Sequence, residues 1–250
     1  MVEAADNPVV ELERKLDDKI VAPPTRRHRA AAFQLYLLIG SGVFIALAIV
    51  ARTVAYFPFD LKITRAVQSY HGILFDRLMS GLSWIGFFPQ VAVLGAVVIV
   101  VLFIAGLRWE AVATLFASCG VAIGSLVKLM VVRPRPSADL VDVIRVIGAS
   151  SFPSGHVLMF TTFCGFLGFL VFTLIKKSWA RTIMLILLAS IIVLMGLSRI
   201  YQGHHWFSDV MGAHLLGSLW LAITVKLYRW GKPRFFSHQP VVPPAPGHGT

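Results

Sequence analysis

Six long apolar stretches run through this chain, at about residues 33–51, 89–106, 109–131, 157–175, 182–198 and 210–228. A helix needs about 20 apolar residues to cross hydrocarbon, where only its own backbone can satisfy its N–H and C=O groups. Each stretch approaches that length, so the pattern predicts an all-α fold, an integral membrane six-transmembrane-helix bundle. Composition points the same way: 57% of residues are hydrophobic and 14% charged, against roughly 25% charged in a soluble domain. So few polar side chains cannot make a water-facing shell for 250 residues, which excludes a soluble enzyme. Cys119 and Cys164 lie inside apolar runs without the spacing of metal ligands and are read as small packing residues.

The stretches divide the chain into a cytoplasmic N-terminal tail (1–32), a six-helix membrane domain (33–230) and a flexible cytoplasmic C-terminal tail (231–250) rich in proline, glycine and histidine. Ala46-Leu47-Ala48 resembles a signal-peptide cleavage site, but six acids precede it in the first 32 residues, unlike a short basic leader. Val9, Leu12, Leu16 and Ile20 recur at helical spacing among charges, which fits either a short surface helix or disorder. Orientation follows from the cations: Arg26, Arg27, Arg29, Arg108, Lys176, Lys177, Arg181, Lys226, Arg229, Lys232 and Arg234 all fall on one side of a six-span chain. By the positive-inside rule that side is the cytoplasm, with both termini in it. Part of the net charge of +11 is thus topological and attractive to anionic lipid, not a nucleic-acid footprint.

Ionisable side chains at membrane depth cost about 2.5 to 3.5 kcal/mol each on insertion scales, so their positions carry information. Lys128 closes the third stretch, Arg133 and Arg135 follow it, His156 opens the fourth, Arg199 closes the fifth, and His205 with Asp209 opens the sixth. Counting crossings puts all of them on the non-cytoplasmic side. Several cations with two histidines and a single carboxylate suit a multiply charged anion, phosphate above all, because arginine forks match its oxygens and lysine adds a point charge. Ser154 and Gly155 stand before an apolar helix, whose first N–H groups and dipole favour an anion. His205 and Asp209 are four residues apart, so on a helix the carboxylate can hold one ring nitrogen while the other points outward as a nucleophile or base. His156, from another helix, is placed to protonate a departing oxygen.

Three fragments, Lys128 with Arg135-Pro136, then Pro153-Ser154-Gly155-His156, then Ser198-Arg199 with His205 and Asp209, together resemble the three-part signature of the type 2 phosphatidic acid phosphatase superfamily. All three match in order and spacing. Each is weak alone; the set is specific, and the six-helix plan extends the likeness over most of the chain. Phe207 is a departure, since relatives often have proline there; it bears on how the helix starts more than on chemistry. The resemblance implies a membrane phosphatase with a phosphohistidine intermediate: His205 as nucleophile, Asp209 as its orienting partner, His156 as general acid, and Lys128, Arg135, Ser154, Gly155 and Arg199 around the phosphoryl oxygens. It implies no cofactor, and the sequence lacks a P-loop, an HExxH helix and an acidic cluster for hard cations. No metal is expected.

Other residues admit plainer readings. Arg133 is either part of this shell or a neighbouring surface charge. His204 is read as a rim or packing residue and His214 as a hydrogen-bonded interior histidine. Gly165, Gly168, Gly212 and Gly217 are read as close-packing positions, and Trp84, Trp179 and Trp230 as interfacial anchors. The connection at about 53–83 either forms a wall through which a lipid reaches the site or merely covers helix ends. The expected partners are the bilayer and a lipid phosphate or diphosphate, of phosphatidic acid, phosphatidylglycerol phosphate or undecaprenyl diphosphate type, with no nucleic acid and no obligate protein partner. The expected function is hydrolysis of that lipid phosphate or diphosphate at the outer surface of the cytoplasmic membrane; the alternatives are transfer of the phosphoryl group to an acceptor lipid and, ranked below it, a non-catalytic carrier.

Overall fold

The computed structural model describes residues 24–145, 148 and 150–235, all of whose regular structure is helical. The stretch Val9–Ile20 and the tail beyond Phe235 lie outside the described residues. Among the described residues nine helices follow in order: α1 (Pro24–Thr53), α2 (Pro58–Gln68), α3 (Ile73–Ile85), α4 (Gln90–Ile104), α5 (Arg108–Ser118), α6 (Gly120–Val131), α7 (Gly155–Leu174), α8 (Trp179–Tyr201) and α9 (Phe207–Phe235). The chain divides into two units inside α1, between Val43 and Phe44. The second unit holds the whole core and every residue of the site.

Among the described residues five segments are long and apolar enough to cross a membrane: His28–Thr53, Arg108–Val131, Gly155–Leu174, Trp179–Tyr201 and Phe207–Pro233. The expected span at 89–106 is a different object. Helix α4 has 15 residues, which rise only roughly 22 Å at about 1.5 Å each. It reaches crossing length only together with α3, from which it is bent by 68°. The span Arg108–Val131 is interrupted at Cys119, which is exposed at the break between α5 and α6, whereas Cys164 is buried as expected.

Helix α7 is the centre of the bundle and packs on α5, α6, α8 and α9. Val157, Leu158, Phe160, Phe163 and Cys164 on α7 meet Met195 and Ile200 of α8 and Val210 and Ala213 of α9. Further along α7, Phe166 and Leu170 pack with Ala113, Ala117 and Tyr228. Close approach needs small residues: a Cβ on Gly165 would lie 2.6 Å from Leu221, on Gly212 2.4 Å from Phe152 and on Gly217 2.8 Å from Thr161. Gly168 is not such a position, since a Cβ there meets nothing closer than 3.9 Å. His214 is held inside the bundle by Thr161, its Nδ1 2.9 Å from the hydroxyl. Large apolar side chains face outward along the spans, among them Leu38, Ile104, Leu129 and Trp179, each more than 70% exposed. Water would not tolerate that surface and lipid does.

The connection at 53–83 folds into α2 and α3 rather than lying loosely across helix ends. Pro58 presets the first turn of α2, and Asp60 accepts from the Phe57 N–H at 3.0 Å. Helices α2 and α3 pack on α8, and α2 also touches α9. Helix α2 is tied to the loop before α7 and to the end of α8: Arg65 donates to the Leu140 carbonyl through Nε and Nη2, at 3.1 and 3.0 Å, and Gln68 donates to the carbonyls of Asp142 and Tyr201 at 2.7 and 2.9 Å. The Asp142 N–H donates back to Gln68 Oε1 at 3.1 Å.

Candidate active site

Where α6 ends, the chain makes one abrupt turn. Val132 has φ 47° in the left-handed region, which costs a β-branched residue roughly 1–2 kcal/mol. It redirects the backbone into Arg133-Pro134-Arg135-Pro136, where each proline holds the residue before it extended. Arg133 is completely buried. Its Nη1 donates to Asp209 Oδ1 at 2.6 Å and to Ser208 Oγ at 2.7 Å, its Nη2 to Asp60 Oδ2 at 3.0 Å, and its Nε to the Ala55 carbonyl at 3.1 Å. It is therefore no surface charge. Asp60, equally buried, also receives the Ser208 N–H and hydroxyl, both at 2.7 Å.

The third fragment follows α8. Arg199 closes that helix, and the segment Gln202–Trp206 is a turn. Gly203 sits there at φ 66°, where a Cβ would lie 2.1 Å from the Asp142 carbonyl oxygen; glycine alone fits both constraints. The amides of His204 and His205 donate to the Arg199 carbonyl at 3.0 and 3.2 Å. His205 precedes the first turn of α9, and its Nδ1 stands 3.7 Å from Asp209 Oδ2, an ionic contact longer than a hydrogen bond. That same Oδ2 accepts from the Ser151 hydroxyl and from the Trp206 N–H, the latter at 2.8 Å. The other ring nitrogen of His205, Nε2, lies 3.3 Å from Arg135 Nη1. Arg135 also donates to the carbonyls of Gly148 (2.9 Å), His204 (2.6 Å) and Ser150 (3.1 Å), so it braces the turn that carries His205.

The second fragment completes the site from α7. Ser154 caps that helix, and its N–H donates to the Asp209 carbonyl at 3.3 Å. A Cβ on Gly155 would stand 3.8 Å from Lys128 Nζ, so the lysine reaches the start of α7. His156 packs edge-on against Phe87, with centroids 4.8 Å apart. Gly86 leaves room for that ring, since a Cβ there would fall 2.2 Å from His156 Cδ2. Arg199 is wholly buried, donates through Nη1 to the Ser83 hydroxyl and lies 5.1 Å from the Phe87 centroid. All eight residues singled out in the three fragments are thus brought to one end of the bundle, where α6 and α8 finish and α7 and α9 begin.

Polar atoms at that end are buried without partners among the described residues. They are Ser154 Oγ, His156 Nε2, Arg199 Nε and Nη2, His205 Nδ1 and both ring nitrogens of His204. Buried polar groups are normally satisfied. So dense a set, with the cations Lys128, Arg135 and Arg199 near enough to repel one another, is an arrangement a tetrahedral oxyanion would satisfy. Burial, followed by the cations of Arg135, Arg199 and Lys128, holds the His205 pKa well below its ordinary value. Burial, then the cations of Arg199, Arg135 and Arg145, push His204 down to about 3. Both rings are neutral at pH 7, and a neutral imidazole retains the lone pair a nucleophile needs. His204 is fully enclosed rather than at a rim, because the turn at 202–206 replaces the helical geometry that would have aimed it aside.

Asp60, Ser83, Phe87, Ser151 and Ser208 were not singled out by sequence, and Arg133 was left between two readings. For Arg133 a signal exists: alternate residues of an extended segment share a face, so Arg-Pro-Arg-Pro projects Arg133 and Arg135 the same way. For Asp60 the visible signal is only that of an acid in the first turn of a helix.

An integral membrane helical bundle, with a buried imidazole and carboxylate inside a ring of cations, is the class that fold and site define. The sequence profile of the PAP2 superfamily matches residues 91–233, more than half of the chain. This chain belongs to that superfamily. Two solved structures share its fold. A transmembrane PAP2 type phosphatidylglycerolphosphate phosphatase from Bacillus subtilis superposes with a TM-score of 0.68 at 24% identity, covering 80% of this chain and 98% of that one. LpxE from Aquifex aeolicus superposes with a TM-score of 0.51 at 23% identity, covering 68% and 96%. No curated protein sequence matches the chain.

Proposed function

We propose that this protein is a membrane phosphatase that removes the terminal phosphoryl group of a lipid phosphate or diphosphate through a phosphohistidine. The reading is carried by the cluster of unpartnered buried polar atoms around His205, set among Lys128, Arg135 and Arg199. Nε2 of His205 attacks phosphorus, forming a P–N bond as the bond to the lipid oxygen breaks. Asp209, beside Nδ1, fixes the ring's tautomer and offsets the positive charge that develops. His156 gives its proton to the departing oxygen, then takes one from the water that attacks phosphorus, breaks the P–N bond and frees His205. Lys128, Arg135, Arg199, the Ser154 hydroxyl and the first amides of α7 hold the phosphoryl oxygens, so side-chain cations supply the charge that magnesium supplies in many phosphoryl transfers.

A lipid substrate is favoured because the site stands at the end of a bundle whose outer surface is apolar, so that a head can enter while its tail stays in the bilayer. The name of one of the two similar structures, a phosphatidylglycerolphosphate phosphatase, agrees with this class. The site faces away from the cytoplasm on this reading, because Arg108, Lys176, Lys177, Arg181, Lys226 and Arg229 lie toward the opposite end.

The deciding experiment uses purified protein with phosphatidic acid, phosphatidylglycerol phosphate, undecaprenyl diphosphate and a lipid A phosphate, each with and without EDTA. Free phosphate without any acceptor, unaffected by chelation, together with an acid-labile, base-stable phosphoryl label missing from His205→Ala, is the expected result. Turnover that persists in His205→Ala overturns the mechanism. Phosphate release only with an acceptor lipid makes the protein a transferase, and a chelator-sensitive rate restored by magnesium contradicts the metal-free reading.

A further inference from the structure

At the far end of the bundle from His205, helices α4, α7 and α8 enclose a second opening of about 460 Å3, lined only by aliphatic side chains, Leu102, Leu107, Leu170, Leu174, Met184 and Leu187 among them. That volume falls in the range of about 300–1,000 Å3 typical of ligand pockets. An opening without polar groups between membrane helices takes hydrocarbon, and any acyl chain would serve.

The rim is selective. Arg108 follows the lining residue Leu107, and Lys176 and Lys177 follow the lining residue Ile175. Arg181 reaches back onto the same rim, its Nη1 donating to the Ile175 carbonyl at 3.2 Å, with its guanidinium 4.8 Å from the Phe172 centroid. Neither Lys176 nor Lys177 takes part in an ion pair among the described residues. No acid occurs in 102–109 or 170–188, and the nearest in sequence, Glu110, is engaged by Lys232 at 2.5 Å. The positive-inside rule accounts for cations in these connections, but not for their gathering at the mouth of a hydrocarbon-lined cavity.

We infer that this opening is a binding site for an anionic phospholipid of the leaflet opposite the active site, with one acyl chain in the cavity and the phosphodiester headgroup against Lys176, Lys177, Arg108 and Arg181. Apolar burial supplies attachment and the cationic rim supplies the preference for negative charge. The bound chain wedges between α7 and α8, which carry His156 and Arg199 at their other ends. The inference does not depend on the proposed function.

The test is native mass spectrometry of the full chain in neutral detergent with equal amounts of dioleoyl phosphatidylglycerol and dioleoyl phosphatidylcholine. Wild-type protein retains phosphatidylglycerol in preference, and Lys176→Gln/Lys177→Gln weakens that retention roughly tenfold while leaving phosphatidylcholine unchanged. Leu187→Trp, which fills the cavity and keeps the cations, also lowers phosphatidylglycerol retention. Saturating vanadate leaves the bound lipid in place. Equal retention of the two lipids by wild type, undiminished phosphatidylglycerol retention in both variants, or displacement of the lipid by vanadate, which would put it in the catalytic cradle, overturns the inference.

Discussion

Arg133 Nη1 donates to Asp209 Oδ1 at 2.6 Å, and neither side chain is exposed at all. The same guanidinium holds Asp60 through Nη2 at 3.0 Å, so one cation lies between two buried carboxylates. Asp209 therefore has its Oδ1 fixed by Arg133 and its Oδ2 fixed by Ser151 and the Trp206 amide, and it presents that second oxygen to His205 in a set direction. Orientation of the imidazole originates two residues deeper than the His205–Asp209 pair itself.

Removal of the central cation leaves two carboxylates buried without it. Arg133→Ala is expected to cost about 3–5 kcal/mol of stability and to abolish turnover. Arg133→Lys keeps the charge but cannot fork between Asp60 and Asp209, so it should fold better than the alanine variant and stay well below wild type in kcat. Thermal unfolding in detergent, alongside initial rates, checks both; wild-type behaviour of Arg133→Lys would show that bidentate geometry is irrelevant.

Gly86 is expected to control the His156 ring without touching substrate. An alanine there meets no backbone restriction, since Gly86 has φ −77°, but its Cβ would fall 2.2 Å from His156 Cδ2 and force the ring to turn. Gly86→Ala should reproduce the kinetic signature of His156→Ala: a large loss on alkyl phosphates and a much smaller one on aryl phosphates, whose leaving groups need little protonation. A series of leaving groups plotted against rate reads this directly, and an equal loss across the series contradicts it.

Lys128 and Arg199 are expected to act through binding of the oxyanion. Each alanine substitution removes a charge-assisted contact of about 1.5–3 kcal/mol, which weakens vanadate inhibition roughly 10- to 100-fold. Arg135→Ala should do more, because Arg135 also braces the His204 and Ser150 carbonyls and its loss loosens the turn carrying His205. Vanadate affinity measured beside unfolding temperature separates the two effects.

Stability should fall with acid. His204 is held at about 3 in the folded protein against an ordinary value of 6.5, and His205 is held well below its ordinary value as well. Between those limits the unfolded chain binds protons that the folded chain refuses, so stability is full above about pH 6.5 and declines as pH falls toward 3. His204→Asn should flatten part of that slope, and vanadate, whose negative charge favours an imidazolium, should flatten more. Unfolding temperatures at pH 7 and pH 5 test this; identical slopes for wild type and His204→Asn would remove His204 from the account.

The spans and the gathering of charged residues at one end were legible because each obeys a local rule. Twenty apolar residues can only cross or be buried, and charges at the ends of alternate helices must meet on one face. Arg133 was harder, since a lone basic residue beside a helix end reads equally well as solvated, and only its partner Asp60, some seventy positions away, decides the matter. The inward contacts of the connection at 53–83 were not legible for a similar reason: Asp60, Gln68 and Ser83 reach inward through tertiary contacts that no periodicity announces. The bent pair α3 and α4 was hidden because hydropathy measures apolar length and is blind to direction.

The hydrogen bond from the Ser154 amide to the Asp209 carbonyl has a mechanical meaning. It bolts the start of the helix bearing His156 to the start of the helix bearing Asp209, so the two sides of the candidate site are tied at one point. Shifts elsewhere in the bundle therefore need not change the spacing between His156 and Asp209.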